Sequence, residues 1–394
     1  MRKRLTVIIA LSFVISTILG TTGCNVEEDV FPDIVFSSES NETSLSSDYS
    51  GQIDNGFHEL TVALPVNEET VNLLLKLYYA KNNDLFPSEM NGGDISIEYL
   101  NAINTPWVVN TVFTTNNGES TETLQALEDE GILPDIFLAY DMNSLISDGI
   151  VQPFDQYLSS DESLLSSGIY LNELEALRYG DSHYGIPFYS SVYLLAGSRE
   201  YLPDDGVPSY SMSADELHEY IRSIPGINSD GSVYITRFYD ADSLTPFLGE
   251  DYSLMIANEG LSSVTDSFGA DPRVSRTCGM WLMNSAETDT WNTYYPDGLY
   301  FTMLPSENIN AVVYPLCLSA DSDDAEFAAD FAAFICYDRD AQMLLRRLES
   351  LRGFFPPVSA RGVWDEMSAD EVFGAQSMLY EQYMPNAVFT VAGD

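Results

Sequence analysis

From residue 57 onward, segments with strand character and segments with helix character alternate along the chain. Apolar residues that alternate in period two indicate a strand, and apolar residues that return every three to four positions indicate a helix. The order is strand, helix, strand, helix, strand in HELTVALPV (58–66), EETVNLLLKLYYAKN (68–82), DISIEYL (94–100), STETLQALEDEG (120–131) and ILPDIFLAY (132–140). This order predicts an α/β fold in which a parallel sheet carries helices on its faces.

Two later segments carry the signals of helix ends. Ser213 and Glu216 have the spacing of a capping box, and a Pro-Gly pair stops the helix that they begin. Residues 323–348 are predicted to form one long helix, with acidic residues before it and Arg346 and Arg347 at its end. The phenylalanines inside it are predicted to pack in the core: Phe327, Phe331 and Phe334.

The charge of the chain is strongly one-sided. There are 61 acidic and 16 basic residues among 394, which gives a net charge of −45. Such a chain repels nucleic acid and anionic membrane surfaces, so neither is predicted as a partner. With 45 % hydrophobic residues it can still build large cores. The acidity has two interpretations: a solvated surface that keeps an exported protein soluble, or a pocket for a cationic ligand.

The N-terminus is predicted to be a targeting segment. Residues 2–4 are basic, and the run LTVIIALSFVISTILG that follows is apolar and uncharged. About sixteen residues fall short of the roughly twenty that a membrane-spanning helix needs, which favours a cleaved signal. The run ends in LGTTGC, which resembles a bacterial lipobox but has Thr21 where leucine is usual. Residues 1–23 are therefore predicted to be a lipoprotein signal peptide and Cys24 the lipid-attachment site, with plain secretion as the alternative.

The next segment, residues 24–56, is predicted to be an acidic flexible tether. After Cys24 it is rich in Ser, Asn, Asp and Glu and contains no Lys or Arg. A coil of this length has a mean span of roughly 30 Å, which would hold a domain near the membrane without pressing it against the surface.

Cysteine and histidine usage gives no support for a metal site. Three thiols after Cys24 lie in apolar surroundings, and three histidines lack the spacing of metal ligands. The thiols allow at most one intrachain disulfide, and free buried thiols are the expectation. These residues are Cys278, Cys317, Cys336, His58, His183 and His218.

Several stretches, in order, resemble the bacterial extracellular solute-binding proteins of ABC importers, in the large sugar-binding group known as family 1. GILPDIFLAYDMNSLISDGIVQPFDQYL (131–158) resembles that family's third strand and following helix. YGDSHYGIPFYSSVYLLAGSREYL (179–202) resembles the strand that leads from the first lobe into the second. Looser matches follow in the family's order at 207–221, 276–287, 301–306, 312–345 and 352–360. Together they cover most of the chain from residue 57 to about 365, and their order carries more weight than any single match.

The sequence departs from the family pattern in two places. About seventy residues lie between Leu202 and Val274, fewer than sugar-binding members use, so the second lobe is predicted to be trimmed. After GMWLMN the family often has an aromatic platform, whereas this chain has Ser-Ala-Glu at 285–287. Trp291 is the candidate to take the place of that platform.

The resemblance implies a two-lobed periplasmic-binding-protein-like fold, with a hinge and a ligand cleft between the lobes. It assigns residues 57–188 with 306–348 to the first lobe. Residues 189–305 with 349–394 are assigned to the second lobe.

Polar residues that follow the predicted strands are the candidate ligand-binding residues, because ligands of open parallel sheets bind beyond the carboxyl ends of the strands. Hydroxyl-rich ligands need hydrogen-bond donors and acceptors, and the apolar face of a sugar ring needs an aromatic surface. The candidates are Asn67, Asn101, Tyr140, Asp141, Tyr189, Ser190, Trp281, Asn284, Ser285 and Trp291. Two alternatives stay open: Asp141 as a helix cap and Trp281 as a core residue.

The leading hypothesis is a monomeric, lipid-anchored, extracytoplasmic protein that captures a small solute and delivers it to an ABC permease. The preferred class of solute is a carbohydrate. It requires no cofactor. Two alternatives are a binding protein for a polyamine or other cationic ligand, and a surface sensor or interaction lipoprotein without a transport role. No catalytic residue is predicted, because no nucleophile motif accompanies His183 and Asp181 and the chain has no P-loop or GxGxxG.

Overall fold

The structure is a computed structural model that describes residues 56–85, 95–114, 118, 120–158, 168–203, 206–209, 211–226, 235–259, 271–295, 298–305, 309–349, 351–370 and 374–393. The predicted signal peptide, Cys24 and the tether up to residue 55 lie outside the described residues.

The described residues form strands and helices in alternation. The strands are β1 (Glu59–Leu64), β2 (Val108–Phe113), β3 (Ile136–Leu138), β4 (Val151–Gln152), β5 (Arg178–Tyr179), β6 (Ser182–His183), β7 (Ile186–Ser198), β8 (Thr236–Tyr239), β9 (Cys278–Asn284), β10 (Leu299–Met303), β11 (Asn310–Ser319) and β12 (Val388–Val391). The α-helices are α1 (Glu68–Asn82), α2 (Ile97–Ala102), α3 (Thr121–Asp129), α4 (Met142–Asp148), α5 (Leu171–Glu175), α6 (Ala214–Ser223), α7 (Thr245–Leu248), α8 (Glu250–Glu259), α9 (Thr288–Tyr294), α10 (Ala325–Tyr337), α11 (Arg339–Leu348), α12 (Arg361–Ser368) and α13 (Gly374–Tyr383). Short 3-10 turns lie at Arg199–Tyr201, Ala241–Leu244, Ser285–Glu287 and Met384–Asn386.

One large sheet connects most of these strands. Its order is β2-β1-β3-β11-β7-β9-β8, with β4 and β12 also paired with β11 and β10 also paired with β7. β1 is parallel to both β2 and β3, which confirms the parallel arrangement predicted for this part of the chain. β5 and β6 pair with each other in a separate hairpin.

The strand predicted at residues 94–100 is wrong, because the chain forms helix α2 there. Ser96 caps this helix by accepting a hydrogen bond from the Tyr99 amide at 3.2 Å, and Glu98 lies in the first turn. Both features stabilise a helix start. The second strand of the sheet is instead β2.

The helix predicted over residues 323–348 is two helices, α10 and α11, that meet at Asp338. The backbone of Asp338 is extended, and its carboxylate accepts hydrogen bonds from the Asp340 and Ala341 amides at 2.9 and 3.1 Å. Lys81 lies 2.8 Å from the Asp338 carboxylate and 2.6 Å from that of Asp340. An N-cap residue inside a continuous apolar pattern therefore begins a new helix.

Around β1, β3 and β11, the two faces of the sheet are covered by different helices. Leu60 and Val62 of β1 share a cluster with residues of α1, α10 and α11, which contains Phe327 and Phe331 as predicted. Ala63, which points to the other face of the strand, shares a cluster with residues of α3 and α4. Helices on both faces bury most residues of these strands.

The same layering recurs around β7 and β9. Leu194 and Trp281 share a cluster with residues of α9, α12 and α13. Leu195 and Met280 share another with residues of α6 and α8. The sheet is thus covered by helices on both faces at each of its two ends.

The last strand joins the first of these two parts. β12 pairs in parallel with the start of β11, and Val391 lies in the cluster with α3 and α4. The sequence assigned residues 349–394 to the second lobe, whereas this strand extends the part of the sheet assigned to the first lobe. The lobe boundaries as such remain a prediction.

Two local predictions are confirmed. The capping box at Ser213 and Glu216 is formed in both directions at the start of α6. Cys278, Cys317 and Cys336 are fully buried, as expected for thiols in apolar surroundings.

Arg352 joins two helices by contacting two carboxylates. Its Nη1 lies 2.6 Å from Asp289 on α9, and its Nε lies 2.7 Å from Asp370, which follows α12. Lys81 holds Asp338 and Asp340 in the same way. Single basic residues therefore neutralise pairs of acids in this acidic chain.

We refer to the place where β7, β11 and residues 353–358 run side by side as the crossing. Tyr189 of β7 is paired with Tyr314 of β11. On the other side, Ser190 and Phe355 exchange two backbone hydrogen bonds of 3.0 and 2.7 Å. Three separate stretches of the chain therefore meet at residues 189 and 190.

Ser285 fastens the end of β9 to the crossing. Its fully buried hydroxyl accepts a hydrogen bond from the Val192 amide at 3.0 Å and donates one to the Gly353 carbonyl at 2.5 Å. Gly353 has φ +82°, and a Cβ there would lie 1.9 Å from the Ser285 carbonyl oxygen. Glycine is therefore required at this position of close backbone approach.

Asp338→Ala should lower the free energy of unfolding by about 2 kcal/mol, because it removes an N-cap and one of the two carboxylates that hold Lys81. Asp338→Asn should lower the free energy of unfolding by only about 1 kcal/mol, since asparagine caps a helix as well as aspartate does. Urea unfolding of both variants checks this. Equal losses would contradict the capping role.

Ser285→Ala should lower the free energy of unfolding by about 1–3 kcal/mol, because the Val192 amide loses its buried acceptor. Ser275→Ala is the matched control. Its side chain is exposed, so the change should stay within about 0.5 kcal/mol. Chemical denaturation of the two variants separates these expectations, and a neutral Ser285→Ala would contradict them.

Candidate functional site

Two sets of strand ends face each other along β7. β7 runs in the same direction as β3, because each is antiparallel to β11, and β9 runs the opposite way. Leu138 at the end of β3 and Ile186 at the start of β7 both pair with Leu316, whereas Asn284 at the end of β9 pairs with Tyr193. Seven residues of extended strand separate these levels, about 23 Å. The region between facing carboxyl ends is where open α/β sheets bind ligands.

Residues from both sets of strand ends act electrostatically on Tyr314, which lies in the crossing. Its hydroxyl accepts a hydrogen bond from Ser191 at 3.4 Å. Burial raises the pKa of Tyr314, and Tyr193, Glu287 and Tyr140 are near enough to raise it further, against the lowering effect of the Ser191 bond. Tyr140 follows β3 and Glu287 follows β9, so groups from facing strand ends act on one tyrosine. We call Tyr140, Tyr193, Glu287 and Tyr314 the converging set.

Tyr140 and Asp141 form the turn between β3 and α4. Tyr140 is 42 % exposed, which leaves part of its ring free for contact with a solute. Asp141 has φ +61°, and its carboxylate accepts hydrogen bonds from the amide and hydroxyl of Ser144 at 3.2 and 2.6 Å. The helix-cap alternative for Asp141 is therefore realised, and both carboxylate oxygens are occupied by Ser144.

Arg273, which precedes β9 in the chain, lies between two aromatic rings. The Arg273 guanidinium lies 4.7 Å from the ring centre of Tyr239 and 4.6 Å from that of Trp291, and it pairs with Asp271 at 2.7 Å. Trp291 donates its indole N–H to Glu287 at 2.7 Å. This stack fixes Glu287, whose side chain is exposed, at the side of the converging tyrosines.

A cavity of about 400 Å³ lies next to Tyr193. Its volume falls within the range of small-molecule sites. Three tyrosine rings face it, six apolar side chains complete most of its wall, and no charged residue is among those that line it. The lining residues are Tyr193, Tyr380, Tyr383, Met212, Met303, Leu304, Pro305, Ile309, Ser211, Ser213, Ala214 and Asn310.

The three asparagines predicted as ligand residues differ in their structural positions and in their exposure. Asn67 caps α1, and its side chain donates to Glu349 at 2.5 Å. Asn101 is predicted to follow a strand, but it lies within α2, where its carbonyl accepts a hydrogen bond from Lys76. Asn284 does lie at a strand end, where it is half buried and accepts a hydrogen bond from the Ala286 amide at 2.9 Å.

Four predicted residues are buried. Tyr189 packs against Phe354 with ring centres 4.3 Å apart, and it is 1 % exposed. Ser190, Trp281 and Ser285 have no exposed surface. In this structure these side chains hold the crossing and the core together and do not face a solute. The core alternative for Trp281 is the one observed.

Trp291 is also almost buried, with 6 % of its surface exposed. It packs against Trp281 at 5.6 Å and against Arg273, so its ring faces are covered. The structure thus gives it the role of supporting Glu287 and not that of an open aromatic platform.

Sequence reasoning missed three residues of the converging set: Tyr193, Tyr314 and Glu287. A signal was available for the first, because Tyr189, Ser191 and Tyr193 alternate along β7 and therefore share one face of the strand. The other two are brought close only by the pairing of β7 with β11 and β9.

His183 belongs to a small ionic cluster away from the converging tyrosines. Its Nδ1 lies 2.9 Å from Asp155, and Asp155 also accepts a hydrogen bond from the His183 amide. The pKa of Asp155 is lowered, because these bonds and the charge of His183 outweigh the opposing effect of burial. Asp181, which the sequence set beside His183, instead contributes its carbonyl to Arg178.

Within the described part of the chain, no group of three or more His, Cys, Asp or Glu side chains is placed to hold a metal ion. None of the helices in these ranges combines the length and the apolar character that crossing a bilayer requires.

No protein-family model matches the sequence, and no curated protein matches it either. Solved structures do resemble the fold. An ABC substrate-binding protein of Listeria monocytogenes in complex with cycloalternan is 12 % identical, with a TM-score of 0.55 over 85 % of this chain and 88 % of that one. A family 1 extracellular solute-binding protein of Alicyclobacillus acidocaldarius is 12 % identical, with a TM-score of 0.54 over 86 % and 88 %.

An extracellular solute-binding protein of Staphylococcus aureus in complex with maltose is 14 % identical, with a TM-score of 0.53 over 85 % of this chain and 87 % of that one. Identities this low establish the fold alone. The chain has the two-lobed α/β fold of the extracellular solute-binding proteins.

Proposed function

We propose that this protein is an extracytoplasmic solute-binding protein that captures a small carbohydrate and delivers it to an ABC permease. The observation that carries the proposal is that Tyr140, Tyr193 and Glu287 all act electrostatically on Tyr314 and that the strands they belong to or follow have facing ends. Aromatic rings and hydroxyl groups at such a place suit a ligand with apolar faces and many hydroxyls.

The choice of a carbohydrate has two further supports. The structurally similar proteins of Listeria monocytogenes and Staphylococcus aureus hold cycloalternan and maltose. In this chain, the cavity beside Tyr193 has tyrosine rings and no charged lining residue, which suits a neutral solute. A binding role, without catalysis, is part of the proposal.

The membrane side of the proposal rests on the sequence. A basic and apolar leader that ends in LGTTGC places the mature protein outside the cytoplasmic membrane, with Cys24 as its lipid-bearing first residue. The acidic segment up to residue 56 would then act as the tether. A monomer at the membrane surface can pass its solute to a permease by docking with the lobes closed.

One observation favours a second candidate function, the binding of a polyamine or other cationic ligand. Glu287 presents an exposed carboxylate beside the converging tyrosines, in a chain with a net charge of −45. Attraction between such groups and a cation weakens with salt, whereas hydrogen bonds to a neutral sugar change little.

A thermal-shift screen of the purified protein tests both candidates. Mono- and oligosaccharides, polyamines, amino acids and peptides are each added at low and high salt. A ligand at 100 times its dissociation constant should add about 2.7 kcal/mol of stability. We expect a salt-insensitive shift with a sugar. A salt-sensitive shift with a polyamine would establish the second candidate, and no shift at all would favour a surface-interaction protein without a transport role.

Tyr140→Ala should weaken binding of the solute found in that screen by at least about tenfold, or 1.4 kcal/mol, through loss of ring contact. The free energy of unfolding should change by no more than about 1 kcal/mol, because the residue is 42 % exposed. Tyr179→Ala is the matched control: this tyrosine is 49 % exposed and lies in the β5–β6 hairpin. Titration calorimetry compares the two, and equal affinities would remove Tyr140 from the site.

A further inference from the structure

Glu173 is a buried carboxylic acid that the proposed function does not use. It lies in α5 with no exposed surface. Neither of its carboxyl oxygens makes a hydrogen bond of normal length and angle with a described residue, and the Ser190 hydroxyl is the only hydrogen-bonding group that acts on it. Carboxylates are almost never buried in this way unless they are paired, so this residue requires an explanation.

The surroundings of Glu173 are polar, and no cation of the described residues acts on its carboxyl group. The Ser190 hydroxyl of β7 lies beside the carboxyl group. Cys336 and Tyr337 approach from α10, and Tyr170 from the residue before α5. The charge of Glu381 on α13 acts on Tyr170.

Glu173 lies where the segments of the crossing are joined. Its neighbour Ser190 exchanges the two backbone hydrogen bonds with Phe355. On the other side, Tyr170 donates its amide to the Pro357 carbonyl at 3.2 Å, and Ile169 is bridged to Val358. Helix α5, strand β7 and residues 355–358 therefore enclose one carboxyl group.

An unpaired negative charge cannot be accommodated there without loss of stability. Burial raises the pKa of Glu173 to about 8, an effect that the Ser190 hydroxyl only partly opposes. The packed crossing thus holds a proton that an opened, hydrated crossing releases near the ordinary value of 4.5. Stability from this group is complete below about 4.5 and is lost as the pH rises toward 8.

We propose that Glu173 is a proton switch of the crossing: the protonated side chain favours the packed arrangement of α5, β7 and residues 355–358, and loss of the proton favours its opening. The switch is independent of which solute the protein binds. It makes the joint between the two parts of the sheet looser in mildly alkaline than in mildly acidic surroundings.

Hydrogen exchange of the purified protein between pH 5.5 and 8 tests the proposal, read by mass spectrometry in peptides that cover 186–192 and 352–358. After correction for intrinsic exchange rates, the opening equilibrium should rise up to about tenfold for each pH unit in this window and level off above it. Glu173→Gln should remove this rise, because glutamine does not titrate. Glu122→Gln, an exposed position in α3, should retain it. Parallel pH profiles in all three proteins would overturn the switch.

If Glu173→Gln does not fold, the unmodified protein still decides the matter. Its infrared spectrum at pH 7 should contain the C=O stretching band of a protonated carboxylic acid, and the band should disappear as the pH is raised above 8. A spectrum at pH 7 with carboxylate bands only would refute the proposal.

Discussion

The pairing of β7 with β11 is the constraint on which the rest of the molecule depends. β7 is a strand of thirteen residues, and its two halves pair with different partners: β11 along the first, β9 and β10 along the second. The distance between the facing strand ends is therefore the length of β7 between the two places where they pair. A strand has a fixed rise per residue, so the number of residues between Ile186 and Tyr193 sets the width of the candidate site.

Burial divides the residues near this gap into two roles. Tyr189, Ser190 and Ser285 have lost their access to solvent because they join the crossing to its neighbours. Tyr140 and Glu287, which leave the ends of β3 and β9, remain exposed. A rigid joint with exposed groups at either side is the arrangement that a binding protein needs, since positions on strands hold their geometry more tightly than positions in loops.

The fold could be predicted from the sequence more fully than the site. Alternation of strand and helix segments fixed the α/β class, and the capping box at Ser213 was sufficient to place α6. Ser96 and Asp338 carry the same kind of capping signal, and both residues cap helices in the structure. The prediction instead followed the apolar patterns around them, which fit two structures equally well. Site residues were harder, because a polar residue after a strand can cap a helix as readily as it can bind a ligand. Which residues face Tyr314 depends on strand pairing over long distances, and local sequence carries no record of it.

The ion pairs of Arg352 and Lys81 imply an uneven tolerance to mutation. Each of these bases lies between two carboxylates, so its loss would remove the positive charge that separates two like charges. Loss of one of the acids leaves a neutralised pair. In a chain with almost four acids for every base, the charge of a base in such a position is therefore harder to replace than the charge of one of the acids beside it.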